Sequence, residues 1–230
     1  MNVSLRNPLI IVSLLVIASV SSSFGEDASV DQLIKKLPPP EKVAQSAIAL
    51  DPALRDPLAK QVVDSAKAMN FGNAYALSQK LASRYPKSAV AQCLQGRFAL
   101  TMRKFPEASA AYRRAIADQP NLALAYLGLG VSEAAQNNFS AAMSDYRQVT
   151  RLAPKSEIGW VALSLCNDKM GRKRESLDYA RQATSIAPSS ALAWYQLSRE
   201  EGLSGNKQAA EKALARSNEL RRNASKGTKR

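Results

Sequence analysis

Apolar residues, small residues and short polar breaks recur along this chain on a fixed period. Proline marks it most plainly, because Pro52, Pro86, Pro120, Pro154 and Pro188 stand 34 residues apart. Between these prolines the apolar and small positions repeat. Residues 123–156 hold Tyr126, Leu129, Gly130, Ala142, Tyr146 and Val149 before Pro154. Residues 89–122 hold Gly96, Ala108, Tyr112 and Ala115 before Pro120, and residues 157–190 hold Trp160, Leu163, Ser176 and Ala183 before Pro188. A unit starting at Ala191 keeps Trp194, Leu197, Ala210 and Leu214, with Arg222 where the proline would fall. Residues 55–88 keep Leu58, Ala74, Leu81 and Pro86 but have Gln61 and Val62 in the place of Leu-Gly. Helix-stopping breaks split the units: Asn137-Asn138, Gly171-Arg172-Lys173 and Gly205-Asn206. The pattern predicts helices over 57–69, 72–84, 89–102, 106–118, 123–136, 140–152, 157–170, 174–186, 191–203 and 207–220. A further helix is expected over 41–50.

A large aromatic, then Leu-Gly, then Ala, then an aromatic, then a small or apolar residue, then Pro resembles the tetratricopeptide repeat. The likeness covers about residues 41–222 and is most specific from Ala89 to Ser190. It implies an all-α fold, a right-handed superhelical solenoid of stacked antiparallel helix pairs. The units run at about 41–54 (partial), 55–88, 89–122, 123–156, 157–190 and 191–222. In this register Gly96, Gly130, Ala108, Ala142 and Ala210 let paired helices approach closely. Leu129 and Leu163 face the partner helix, Tyr112 and Tyr146 fill the space between successive repeats, and each proline stops a second helix. Arg199, Glu200, Glu201, Lys207, Lys212 and Arg216 are expected to form a polar cap on the last unit.

The first residues read differently. Arg6 precedes an apolar run from Leu9 to Val20, followed by Ser21-Ser22-Ser23-Phe24-Gly25. This has the order of a secretory signal over 1–25. The run is shorter than the ~20 residues that span a bilayer, so cleavage is expected rather than anchoring. The chain is therefore expected to be exported, periplasmic or secreted; an uncleaved tether is the alternative. Residues 26–40 are expected as a linker or a short amphipathic helix from Ser29 to Leu37, with Val30, Leu33, Ile34 and Leu37 at helical spacing before the break at Pro38-Pro39-Pro40. Residues 223–230 are expected as a basic disordered tail.

Composition narrows the chemistry. No histidine is present, so Ser-His-Asp and Cys-His catalysis and His-ligated metals are excluded. No phosphate-cradling glycine loop, nucleophile elbow or metal-spaced cysteine pair occurs. No cofactor, metal, catalytic residue, nucleic-acid partner or small-molecule substrate is expected. Cys93 and Cys166 lie two repeats apart, beyond the reach of a disulfide, and are expected as buried free thiols. Glu107, Asp118, Glu133, Asp145 and Asp178 are expected to be solvated. Asn138-Phe139-Ser140 and Asn223-Ala224-Ser225 fit the glycan-acceptor pattern of a eukaryotic secretory route.

The resemblance implies a function of binding protein or peptide in a concave groove lined by first helices. Groove positions in this register are Val90, Arg97, Leu124, Leu127, Val131, Ile158, Val161, Leu165 and Tyr195, joined by Cys93, Thr101, Ala134, Lys169, Leu192 and Arg199. The centre is apolar and the ends are basic. An apolar stripe at helical spacing is equally what a core presents. If the stripe is a groove, Leu127→Glu releases the partner and leaves the fold intact. The family's carboxylate clamp is not carried over: its places hold Cys93, Arg97, Gly128, Ile158 and Ala162 in one register. One repeat earlier they hold Ala59, Val63, Leu94, Leu124 and Gly128. The formal charge of +13, with Lys169, Arg172, Lys173 and Arg174 at one turn, suggests an alternative. That alternative is charge-driven binding of an anionic envelope polymer or membrane surface.

Overall fold

The computed structural model describes residues 51–227. The signal expected over 1–25, the segment 26–40 and the helix expected over 41–50 lie outside the described residues. Within them are ten α-helices, one 3-10 turn (Pro52–Arg55) and no strand. The helices are α1 (Pro57–Lys67), α2 (Phe71–Arg84), α3 (Ala89–Thr101), α4 (Phe105–Asp118) and α5 (Ala123–Ala135). They continue with α6 (Phe139–Leu152), α7 (Ile158–Lys169), α8 (Lys173–Ile186), α9 (Ala191–Leu203) and α10 (Lys207–Gly227). All but α10 match the sequence expectation to within two residues at each end. Helix α10 runs on through Gly227, so residues 223–227 are helical instead of a disordered tail. The reason lies in Arg222: without the register's proline, no backbone N–H is lost and no ring clashes with the preceding turn.

Two compact units divide inside α6, one ending at Asp145 and the other beginning at Tyr146. In the first, each of α1 to α4 packs on its successor and α3 also touches α5. In the second, α7, α8, α9 and α10 pack in sequence and α7 touches α9. Consecutive helix pairs therefore build both units.

The same backbone device closes every pair. Met69, Arg103, Asn137, Gly171 and Gly205 have φ of 55°, 57°, 63°, 73° and 84°. Each lies two residues past the end of a first helix and makes a Schellman turn. In the α1–α2 turn, Met69 N–H donates to Ala66 O at 3.0 Å and Asn70 N–H to Ser65 O at 2.9 Å. In the α7–α8 turn, Gly171 N–H donates to Asp168 O and Arg172 N–H to Asn167 O, both at 2.8 Å. These bonds satisfy carbonyls that a helix end leaves orphaned. The 34-residue prolines fall where expected: Pro86, Pro120, Pro154 and Pro188 each follow the end of a second helix by two residues. Side chains cap several starts. Asp56 accepts from Leu58 N–H at 2.8 Å, Ser88 from Ala91 N–H at 3.0 Å and Ser190 from Ala193 N–H at 3.3 Å.

Tyr112 organises the core of the first unit. Its ring lies against glycines of two helices. A Cβ placed on Gly128 of α5 would stand 2.2 Å from the Tyr112 ring, and one on Gly96 of α3 2.9 Å. Gly96 is thus the close-approach residue that the repeat implies, while Gly128 is a second that the repeat pattern does not mark. Phe98, Leu100, Leu127 and Val131 are also buried in this unit, and Leu81 packs in a cluster with Ala53, Ala59, Ala82 and Ala91. In the second unit Val161, Leu163, Ala180, Ala183 and Ala193 are buried. Gly159 there lies beside Thr150, whose Cγ2 would be 2.8 Å from an added Cβ.

Candidate functional site

The stripe assigned to a groove divides by burial. In the first unit Val90, Arg97 and Leu124 are half-buried, whereas Leu127 is 1% exposed and Val131 0%. In the second, Tyr195 is half-buried, whereas Val161 is fully buried and Ile158 and Leu165 nearly so. Leu127, Val131, Ile158, Val161 and Leu165 therefore pack the fold instead of lining an open surface. The cause is stacking: α5 touches both α3 and α4, and α7 touches both α8 and α9, so an interior first helix has few free directions. A charge at position 127 would be buried without a partner, so Leu127→Glu damages the fold before it reports on binding. Positions nearer the helix starts, such as Val90 and Leu124, keep solvent access on the same stripe.

Polar groups border the exposed positions. Burial pushes the Arg97 guanidinium down to about 10, with Tyr112 opposing, so it stays cationic at neutral pH. In the second unit, Arg199 is half-buried and bridges Asp168 to Glu200, reaching Glu200 Oε1 at 3.1 Å. Arg221 stacks over the Tyr195 ring at 5.2 Å. Both cysteines are free and buried, as expected, and burial pushes each thiol up to about 12, leaving them unreactive.

Sequence reasoning missed a buried polar bridge that occurs twice. Glu133 of α5 is 4% exposed and accepts from Arg113 Nη2 of α4 and from Asn138 Nδ2 at 2.9 Å. Glu201 of α9 is 6% exposed and accepts from Arg181 Nη2 of α8 at 2.9 Å and from Asn206 Nδ2 at 2.7 Å. Each bridge ties the second helix of one repeat to the first helix and turn of the next. A signal was available, since Arg, Glu and Asn keep the same spacing in 113, 133, 138 and in 181, 201, 206. Glu133 is thus not a solvated carboxylate, and neither is Asp145, which is half-buried. Glu107, Asp118 and Asp178 are exposed as expected. The expected polar cap is corrected in the same way. Glu200 and Glu201 are buried, and Glu200 joins a network in which Gln196 donates to Glu200 Oε1 at 2.7 Å and to Ser164 Oγ at 3.0 Å. Lys207, Lys212 and Arg216 are exposed.

Lys169, Arg172, Lys173 and Arg174 are all exposed at the α7–α8 turn. Gly171, at φ +73°, has open space around it. No group of three or more Cys, Asp or Glu side chains among the described residues is placed to hold a metal ion.

Serial helix pairs closed by identical turns define a helical-repeat scaffold. Two family models, both described as tetratricopeptide repeat, match residues 93–157 and 159–190. Residues 93–157 and 159–190 thus match tetratricopeptide repeats. No curated protein sequence matches the chain. The solved structure of MamA superimposes with TM-score 0.61 at 17% identity, covering 72% of this chain and 96% of that one. MamA from residue 41 to its end, from Desulfovibrio magneticus RS-1, gives TM-score 0.63 at 13% identity over 75% and 97%. TTC0263, a thermophilic TPR protein in Thermus thermophilus, gives 0.60 at 16% over 72% and 90%. At such identities the likeness is one of fold. Tetratricopeptide repeats are typically non-catalytic scaffolds for protein interaction.

Proposed function

We propose that this chain is an exported scaffold that holds a protein partner on the first-helix faces of its repeats. One observation carries the reading: side chains at Val90, Arg97 and Leu124, and again at Tyr195, are only half-buried on helices where Cys93, Leu127, Val131 and Leu192 are packed away. Such positions give an apolar contact with charge beside it. The signal-like residues 1–25 support export.

The test is capture of partners from the native cell envelope on the full chain, on Leu124→Glu and on Tyr195→Glu, with circular dichroism confirming the fold of each. Partners that survive high salt and are lost with either substitution support the scaffold. Partners retained by both variants overturn this use of the first helices. Mass determination of the mature chain from the same envelope tests removal of the signal.

A second reading rests on the four exposed cations at 169, 172, 173 and 174. They suit an anionic polymer or membrane surface, whose binding falls with salt. Arg172→Ser with Lys173→Ser and Arg174→Ser would then abolish retention at low salt.

A further inference from the structure

Four of the five second helices among the described residues stop at one register place, at Arg84, Asp118, Leu152 and Ile186. The fifth, α10, passes that place at Leu220 and runs on through Gly227. Arg221 is the first residue of the overrun. It is exposed, and its guanidinium carbon lies 5.2 Å from the centroid of the Tyr195 ring on α9. Tyr195 departs from the repeat as well. Its register place holds Cys93, Leu127 and Val161 in earlier repeats, all buried, whereas Tyr195 is only half-buried. One turn back on each helix, Ser217 Oγ donates to Ala191 O at 2.7 Å and fixes α10 against the start of α9. Two exceptions to the repeat thus meet at the end of the second unit.

Charge at this end is unevenly matched. Glu200 and Glu201 of α9 pair with Arg199 and Arg181, and Glu219 of α10 pairs with Arg216. Asp168 of α7 also takes Arg199. Arg221, by contrast, is placed against a ring.

We propose that Tyr195 and Arg221 together form a docking spot for the acidic side chains of a partner peptide. The inference rests on the scaffold reading, in which Tyr195 is a contact, and adds the chemistry of what binds there. A guanidinium stacked on an aromatic ring is occupied on its face alone. Its N–H donors lie in its plane and can grip a carboxylate through two parallel bonds. Stacking also restrains a long side chain, so less freedom is lost when the acid arrives. The tyrosine ring adds apolar contact beside the charge. The neighbouring carboxylates already have arginines of their own, so the positive charge of Arg221 favours an acid from outside the chain.

The experiment follows the Arg221 Nε–H and Tyr195 ring resonances of the full chain, assigned by their absence in Arg221→Gln and Tyr195→Leu. The probe is a capped peptide of alternating leucine and glutamate. Both resonances should shift together and saturate. The same peptide with glutamine for glutamate should bind about tenfold more weakly, the factor for losing a charge-assisted hydrogen bond. Arg221→Gln should weaken the glutamate peptide by the same factor and bring the two peptides level. Equal binding of both peptides to the wild-type chain overturns the acidic spot and leaves the scaffold reading standing. So does a saturable shift of the Leu124 amide with none at Arg221. No shift at Val90, Leu124 or Tyr195 overturns both. Shifts at Arg172 and Arg174 as large as that at Arg221 would mean charge attraction without a site, and also overturn it. Phosphatidylglycerol vesicles that perturb Arg221 where the peptide does not would overturn it in favour of a membrane surface.

Discussion

The two units turn their helix pairs with the same backbone but with different residues. In the first, the left-handed position is held by Met69, Arg103 and Asn137; in the second, by Gly171 and Gly205. Glycine takes that conformation freely, whereas an L side chain costs roughly 1–2 kcal/mol there. The first unit therefore holds two turns, at Met69 and Arg103, against their local preference, while asparagine at 137 tolerates the conformation. What holds them is the packing on either side, centred on a tyrosine clasped between glycines of α3 and α5. The second unit reaches the same geometry with residues already suited to it. Tertiary packing and local propensity are thus interchangeable causes of one turn.

The most severe way to break this contrast is to remove the clasp. Tyr112→Ala should cost about 3–5 kcal/mol, the range for deleting a buried aromatic ring. In thermal unfolding followed by residue-resolved hydrogen exchange, α2 to α5 should lose protection well before α8 to α10. Simultaneous loss would show that the first unit's turns do not depend on Tyr112. A smaller effect is expected from giving the second unit the first unit's burden. Gly171→Met should destabilise by about 1–2 kcal/mol, since its surroundings are open and only the backbone is strained. The midpoint of urea unfolding measures it, and an unchanged midpoint would mean that φ +73° is not the preferred geometry. The smallest effect sharpens the contrast in reverse. Met69 is 56% exposed, so Met69→Gly loses little contact and relieves strain. A gain of up to about 1 kcal/mol is expected after the added entropy of an unfolded glycine. Arg103→Gly should gain less, because Arg103 also stacks on the Phe105 ring at 5.8 Å.

Much of this fold could be read from residue order. Prolines 34 residues apart located the ends of second helices, and Asn137, Gly171 and Gly205 located three of the five turns. The turns at Met69 and Arg103 carry no turn-forming residue and were legible only through the period. The candidate site was legible in part. Val90, Arg97, Leu124 and Tyr195 keep access to solvent, but Leu127, Val131, Ile158, Val161 and Leu165 do not. Helical spacing reports which face a residue occupies and is silent on how deeply neighbouring helices cover it. The carboxylates show the same limit, for Glu133 and Asp178 look alike in a sequence, yet one is buried between two donors and the other is exposed.

By itself, then, the sequence determined the helices, their pairing and the repeat, because these follow from local periodicity and from backbone rules that act over a few residues. Burial was decided by the tertiary structure. Only there do Gly96 and Gly128, on separate helices, close on Tyr112, and only there does Arg221 of α10 come to lie over Tyr195 of α9. Desolvation and close packing depend on what surrounds a group in space, and that surrounding is assembled from segments that local pattern cannot connect.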